Sequence, residues 1–305
     1  MATLMRGIHS VMRKSNHIVR EAFYGYARWK YSRSASEGEP IPFDLAEGLT
    51  IRLLPWGQIA ELLYVRDFER AERDLTIAYL KEGMNVVDVG ANVGLYSILA
   101  AKLIGTSGRV WSFEPSSETH ACLLRNLSLN GVESVIPNRL ALADVGRSRL
   151  ALCRDAGYRD GDRYLSRAQD RMEGGQRDSE GGAYSEIVDV MNLDSYADEN
   201  CGNARIDFIK MDIEGGEFSA LRGAREVLCA NPDVLLLVEC TREGCARAGH
   251  TQADVFDFLR GLGFGLYGWN RQRRNWRSDE DLLVRAGNIW ACRGRSRLPC
   301  PPSQR

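Results

Sequence analysis

The residues predict an α/β fold in which a doubly wound, mostly parallel sheet follows an N-terminal helical extension. Three observations carry that prediction. From residue 68 onward, apolar runs of strand length alternate with stretches of helical periodicity, as strands joined by crossover helices do. The runs NVVDV (85–89) and DVLLLV (233–238) are apolar almost throughout, the composition of strands covered on both faces. Third, VVDVGANVGLYS (86–97) passes from an apolar run through an acid and two glycines into a helical pattern. That arrangement opens a nucleotide pocket.

Taken in order, FERAERDLTIAYLKEG (68–83) reads as a helix closed by a C-terminal glycine. NVVDVGA is a buried strand, GLYSILAAKLIG (94–105) a helix and GRVWSFEP (108–115) the next strand. SSETHACLLRNLSLNG (116–131) is a helix that Ser116 or Ser117 can cap and Gly131 ends. ESVIPNRLALAD (133–144) is a third strand region. RSRLALCRD and YSEIVDVMNL read as strands flanking a polar insert. RIDFIKMDIEG (205–215) is a fourth core strand, GEFSALRGAREVLCA one helix, PDVLLLVEC a fifth strand and TQADVFDFLRGLGF a helix. GFGLYGW and NIWACR close the sheet.

This divides the chain into an N-terminal extension and linker over 1–67, one domain over 68–294, and a tail over 295–305. The insert 155–183 carries six glycines and twelve charged residues and reads as a surface loop or substrate lid. Residues 1–40 hold seven Lys/Arg against three Asp/Glu, consistent with a basic helix that caps the core or rests on a membrane surface.

Across its 305 residues the chain is 44% hydrophobic and 27% charged, with a formal net charge of −1. A dedicated nucleic-acid binder would carry a basic excess, so no nucleic-acid partner is expected. No apolar segment reaches the roughly 18 residues of a membrane span. The N-terminus lacks a continuous apolar h-region, so a cytoplasmic location is expected. The eight cysteines form no CxxC pair, which points to reduced thiols rather than disulfides or zinc.

The ligand follows from the glycine turn. A dinucleotide fingerprint needs a third glycine, but Leu95 and Tyr96 stand where it should fall, and Asn92 interrupts the bare backbone. Asp88 would repel a phosphate. It suits a ligand with a positive group near Gly90, Ala91, Asn92 and Gly94, which S-adenosyl-L-methionine (SAM) has. Gly94 is read as approaching that ligand, so Gly94→Val is expected to abolish binding in a folded chain. Glu114, followed by Pro115, stands at the next strand end, where a carboxylate can accept both ribose hydroxyls. Ala141 falls where the adenine edge would pass.

DVGANVG, FEPSSET, LALAD, VDVMNLDS, IDFIKMDIEGGE, LRGA and LLLVEC occur in one order. Together they resemble the FkbM family of SAM-dependent methyltransferases, within the class I Rossmann-like methyltransferase fold, over roughly residues 68–294. The FE at 68–69 also resembles a family feature, which adds Glu69 to the cofactor residues. The resemblance implies O-methylation of a sugar or natural-product hydroxyl, with a small-molecule or glycan acceptor.

Methyl transfer to an alcohol needs the acceptor positioned and its proton removed. Asp212, at the end of the fourth core strand, is the first candidate to orient or deprotonate the acceptor, and it also borders the cofactor. Glu214 is its partner or a ligand for the amino-acid end of SAM, and Glu239 ends the fifth strand at the cleft rim. Glu217 reads as favouring the helix N-terminus. No metal-ligand spacing is evident, so no metal is expected; an ion between Asp212 and a second carboxylate is the alternative to a base. His250, placed in the helix after Glu239, is a weaker base candidate. The competing functions are an NAD-dependent oxidoreductase and a SAM-binding protein without catalysis.

Overall fold

A computed structural model describes residues 33, 41–46, 48–54, 63, 68–154, 163–166, 183–271, 273–278 and 287–300. The chain begins with a hairpin, β1 (Ile41–Ala46) and β2 (Leu49–Leu53), followed by α1 (Arg70–Tyr79), β3 (Asn85–Val89), α2 (Leu95–Ile104) and β4 (Arg109–Phe113). Next come α3 (Ser117–Asn130), β5 (Val135–Asn138), β6 (Ala141–Leu142), β7 (Ser148–Arg154), β8 (Arg163–Ser166) and β9 (Ala183–Met191). The second half holds α4 (Leu193–Asn200), β10 (Phe208–Met211), α5 (Glu217–Arg222), α6 (Arg225–Ala230) and β11 (Leu235–Glu239). It closes with α7 (Arg242–Arg247), α8 (Gln252–Gly261), β12 (Gly265–Asn270), β13 (Asn275–Arg277) and β14 (Asn288–Cys292).

The central sheet runs β13-β12-β14-β11-β10-β3-β4-β5. From β5 to β11 every pairing is parallel. β14 is reversed against both β11 and β12. A reversed strand inserted between the fifth and sixth core strands is the class I methyltransferase topology. The chain leaves β3 towards β4 and β5, then crosses back to β10, so the switch point lies between β3 and β10. Ligands bind there, beyond the carboxyl ends of the strands.

Two cores flank the sheet. Val86, Ile98, Leu123, Leu237 and Trp290 pack with α1, α2 and α3; Val87, Ile209, Leu221, Leu236 and Val255 pack on the other face with α4, α5, α6 and α8. Each fully buried Val, Leu or Ile contributes roughly 1.5–3 kcal/mol. α2 buries eight of its ten residues, which explains why GLYSILAAKLI is apolar all round. Ser116 caps α3 through a bond from Thr119 N, and Gly131 ends it in the left-handed region.

Several expectations change. Residues 41–53 fall in the expected extension and linker, yet they form the hairpin of β1 and β2, and Ile51 and Leu53 belong to the core. Asn126 of α3 accepts from Arg52 N and donates to Arg52 O, and Asn130 does the same for Thr50. The boundary at 67/68 therefore cuts through packed structure. GEFSALRGAREVLCA is two helices, separated at Gly223 and Ala224, where a Cβ on Gly223 would stand 2.6 Å from the Ala143 carbonyl. RSRLALCRD and YSEIVDVMNL do form strands, but in a separate sheet of order β6-β9-β7-β8. Within the insert β8 is formed; the rest of it, and most of the basic stretch 1–40, lie outside the described residues.

Gly94 is the sharpest correction. Its φ is 98°, and a Cβ would sit 2.8 Å from Leu123 Cδ1 and 3.2 Å from Ile98 Cδ1. It faces the core between α2 and α3, not ligand space. Gly94→Val is accordingly expected to lower the unfolding free energy by roughly 2–5 kcal/mol, combining overpacking with a β-branched residue at positive φ. Urea denaturation measures this; an unchanged midpoint together with lost SAM affinity would restore the ligand-facing reading.

Candidate active site

At the switch point a cleft opens between the ends of β3, β4 and β10. Its lining includes Gly90, Asn92, Glu114, Pro115, Ala141, Leu142, Asp212 and Glu214, with Leu152 and Leu165 from the small sheet. Gly90 (φ 82°) is required because a Cβ would lie 1.9 Å from the Asp212 carbonyl. The first glycine thus lets the β3 turn pass the end of β10, joining the two halves of the fold.

Glu114 is 8% exposed. Its Oε2 accepts from Asn92 N at 3.1 Å and its Oε1 from Ser116 N at 3.0 Å. Two backbone donors therefore fix a carboxylate in the cleft wall. Asn92 adopts φ 49°, with its own side chain accepting from Val93 N.

Across the cleft, one oxygen each of Asp212, Glu214 and Glu239 lies within 4.8 Å of the others. Ladder register explains the convergence: Met211 pairs with Val238, so Asp212 and Glu239 follow side by side. Glu214 joins them from the next loop through left-handed backbone, φ 55°. Glu217 holds that loop, its carboxylate accepting from Ile213 N at 2.8 Å and Gly215 N at 2.9 Å. It is a turn clamp rather than only a helix-end charge, and burial pushes its carboxyl up to about 7.

Lys210 lies beneath the cluster. Its Nζ donates to Asp212 Oδ2 at 2.9 Å and stands 4.7 Å from the Tyr96 ring centre. Burial works against its charge, but Asp212, Glu69 and Asp88 together hold its pKa above the ordinary lysine value. Burial, reinforced by Asp212, Glu214 and Glu217, pushes the Glu239 carboxyl far up.

The predicted residues divide into two groups. Gly90, Asn92, Glu114, Pro115, Ala141, Asp212 and Glu214 line the cleft, and Glu239 reaches it through the cluster. Asp88, Ala91 and Gly94 do not line it. Asp88 is 1% exposed and sits behind the turn, accepting from Ser97 Oγ at 2.6 Å, and Ser97 in turn meets Ser112. It supports the glycine turn from below because α2 covers it. Ala91 is buried, its N–H bound to Phe113 O. Glu69 stands at the N-cap position of α1 in left-handed backbone, its side chain not capping the helix but accepting from Asn288 Nδ2 at 2.8 Å. His250 lies between α7 and α8 rather than in a helix, against Phe218, and the capping box belongs to Thr251 and Asp254.

Sequence reasoning missed Lys210, because a lysine within an apolar strand carries no motif. It also missed the carboxylate cluster as a unit, because its members come from two strand ends and a loop.

The methyltransferase FkbM domain matches residues 88–266, more than half of the chain. The chain belongs to the FkbM methyltransferase family. Methyltransferase sdnD of Sordaria araneosa is 27% identical over 175 residues, 49% of this chain and 64% of the relative, so the match spans just under two thirds of that protein. Solved structures of similar fold include a SAM-dependent methyltransferase from Aquifex aeolicus, with 15% identity, 72% of this chain and 87% of that one covered, and a TM-score of 0.36. A SAM-dependent O-methyltransferase from Thermotoga maritima is 13% identical, with 87% and 80% covered and a TM-score of 0.39. Membership in the FkbM family makes SAM the cofactor and removes the NAD reading. The residues fit it: Glu114 offers anchored acceptors for a ribose diol, Ala141 and Leu142 an apolar wall for a base, and the acidic side of the FkbM cleft suits a cationic methyl donor. No helix among the described residues is long and apolar enough to cross a membrane.

Proposed function

We propose that the chain transfers the SAM methyl group to a hydroxyl of a small molecule, a sugar, glycan or natural product. The observation that carries this reading is the placement of Asp212 in the same cleft as the anchored Glu114. Glu114 holds the donor, and Asp212, Glu214 and Glu239 meet the acceptor. The acceptor oxygen attacks the methyl carbon in line, the C–S pair passes to sulfur, and the hydroxyl proton leaves through the carboxylates. A net charge of −1 supports a small acceptor over nucleic acid. Apolar Leu152 and Leu165 support one that presents a hydrocarbon face.

The test incubates the full chain with ¹³C-methyl SAM and hydroxyl-bearing acceptors chosen from neighbouring genes. S-adenosylhomocysteine is quantified and the product methyl identified by NMR. An O-methyl carbon is expected. Exclusive N-methylation, or no S-adenosylhomocysteine above the blank with any acceptor, overturns the reading.

A further inference from the structure

We propose that Lys210 is a positioning residue for methyl transfer: its ammonium grips one oxygen of Asp212 from beneath and so presents the rest of that carboxylate to the acceptor. Side chains alternate along a strand, so Lys210 and Asp212 point to the same face of β10. Register puts Asp88 of β3 beside Lys210 on one side and Leu237 of β11 on the other. The Lys210 side chain is 6% exposed and that of Asp212 19%, with 2.9 Å between Nζ and Oδ2. Asp212 lines the cleft and Lys210 does not. The lysine therefore acts through the aspartate rather than on the substrate. The Tyr96 ring stands 4.7 Å from Nζ, and the Tyr96 hydroxyl is turned to Glu69.

Packing alone does not call for a lysine here. Its chain neighbours Ile209 and Met211 and its ladder partner Leu237 are buried and apolar, and a buried ion pair can often be replaced by apolar side chains without loss of stability. What calls for it is the company of Asp212. One carboxylate oxygen from each of Glu214 and Glu239 lies within 4.8 Å of one of Asp212, and like charges that close disfavour one another. Burial and those neighbours push the Glu239 carboxyl up, which makes it the protonated member. Among the described residues the ammonium bonds to Asp212 alone of the three. A charge-assisted bond of that length fixes both the orientation and the charge of the carboxylate. The cleft therefore holds two unlike acids: an ionised Asp212 that can take the hydroxyl proton, and a protonated Glu239 that does not compete for it.

The role deepens the proposed methyl transfer and rests on that reading: as the acceptor oxygen bonds the methyl carbon, its proton passes to the Asp212 carboxylate that Lys210 holds in place. The experiment is a double-mutant cycle on the full chain, Lys210→Met against Asp212→Asn. It is read by single-turnover formation of S-adenosylhomocysteine at saturating SAM, with calorimetric SAM titration and thermal midpoints alongside. Lys210→Met is expected to lower the single-turnover rate by roughly 10²-fold, the cost of about 1 Å of misplacement, with SAM affinity nearly intact. In the Asp212→Asn background the same change is expected to cost less than about twofold, because residues that act through one another do not add. If Lys210→Met alone fails to fold, Asp212→Asn is compared with the double variant, in which both charges are gone, and a further loss of about 10²-fold there overturns the role. A loss of equal size in both backgrounds overturns it too, as does a folded Lys210→Met enzyme with the wild-type rate or one whose loss lies in SAM affinity. The cycle reads turnover whichever atom is methylated, so the two proposals fail separately. An N-methyl product with a coupled cycle sinks the hydroxyl acceptor and keeps Lys210. An O-methyl product with an additive cycle does the reverse.

Discussion

Asp212→Asn is expected to lower kcat and kcat/KM together, by roughly 10²–10⁴ fold, with SAM affinity nearly intact. Asparagine keeps the size and one acceptor but neither takes a proton nor carries the charge. Asp212 follows Met211, which is fully buried, so the backbone will hold the new side chain in place. The nearby change is electrostatic: Lys210 loses its 2.9 Å partner and keeps Glu69 and Asp88 as surrounding charges. Single-turnover rates with saturating SAM, beside calorimetric SAM titration, make the measurement. A variant that binds SAM weakly yet turns over normally at saturation would move Asp212 into the cofactor pocket and leave Glu214 or Glu239 as the acceptor's partner.

Glu114→Ala is expected to weaken SAM binding by roughly 1.5–3 kcal/mol, about 10–150-fold. The carboxylate is already oriented by Asn92 N and Ser116 N, in the wall of the cleft where a ribose diol would lie. The residues alone suggest that Glu114→Gln loses less. The two backbone donors change that expectation: whichever way the amide turns, its NH₂ confronts one of them, so the Gln variant is expected to approach the Ala variant. Calorimetry on both, with thermal midpoints as a folding control, decides. A folded Ala variant with wild-type affinity takes Glu114 out of the site.

What could be read from the residues was whatever local burial writes into them. β3, β10 and β11 are apolar because helices cover both faces, and Ser116 and Gly131 mark α3 through cap chemistry that spans four residues or fewer. The hairpin of β1 and β2 was illegible because its support comes from Asn126 and Asn130, 74 to 80 residues away. Gly94 misled for a related reason. A glycine beside a ligand turn and a glycine beside Leu123 look alike until α3 is in place. Asp88 shows the same ambiguity, since an acid at a strand end can face a ligand or, as here, the Ser97 hydroxyl beneath it, which in turn meets Ser112. The carboxylate cluster needed the β10–β11 register, which no spacing encodes.

Among the described residues, the small sheet formed by β6, β9, β7 and β8 shares no ladder with the strands that carry Asp212 and Glu114, yet it lends Leu152 and Leu165 to the cleft. Evolution and engineering can therefore treat the two walls as separate parts. Replacing residues along β7 and β8 reshapes one side of the cavity while every rung of the donor-binding scaffold stays in register. A lineage built this way is expected to hold its methyl donor fixed while its acceptors diverge, and grafting that sheet between relatives is the natural route to new acceptors.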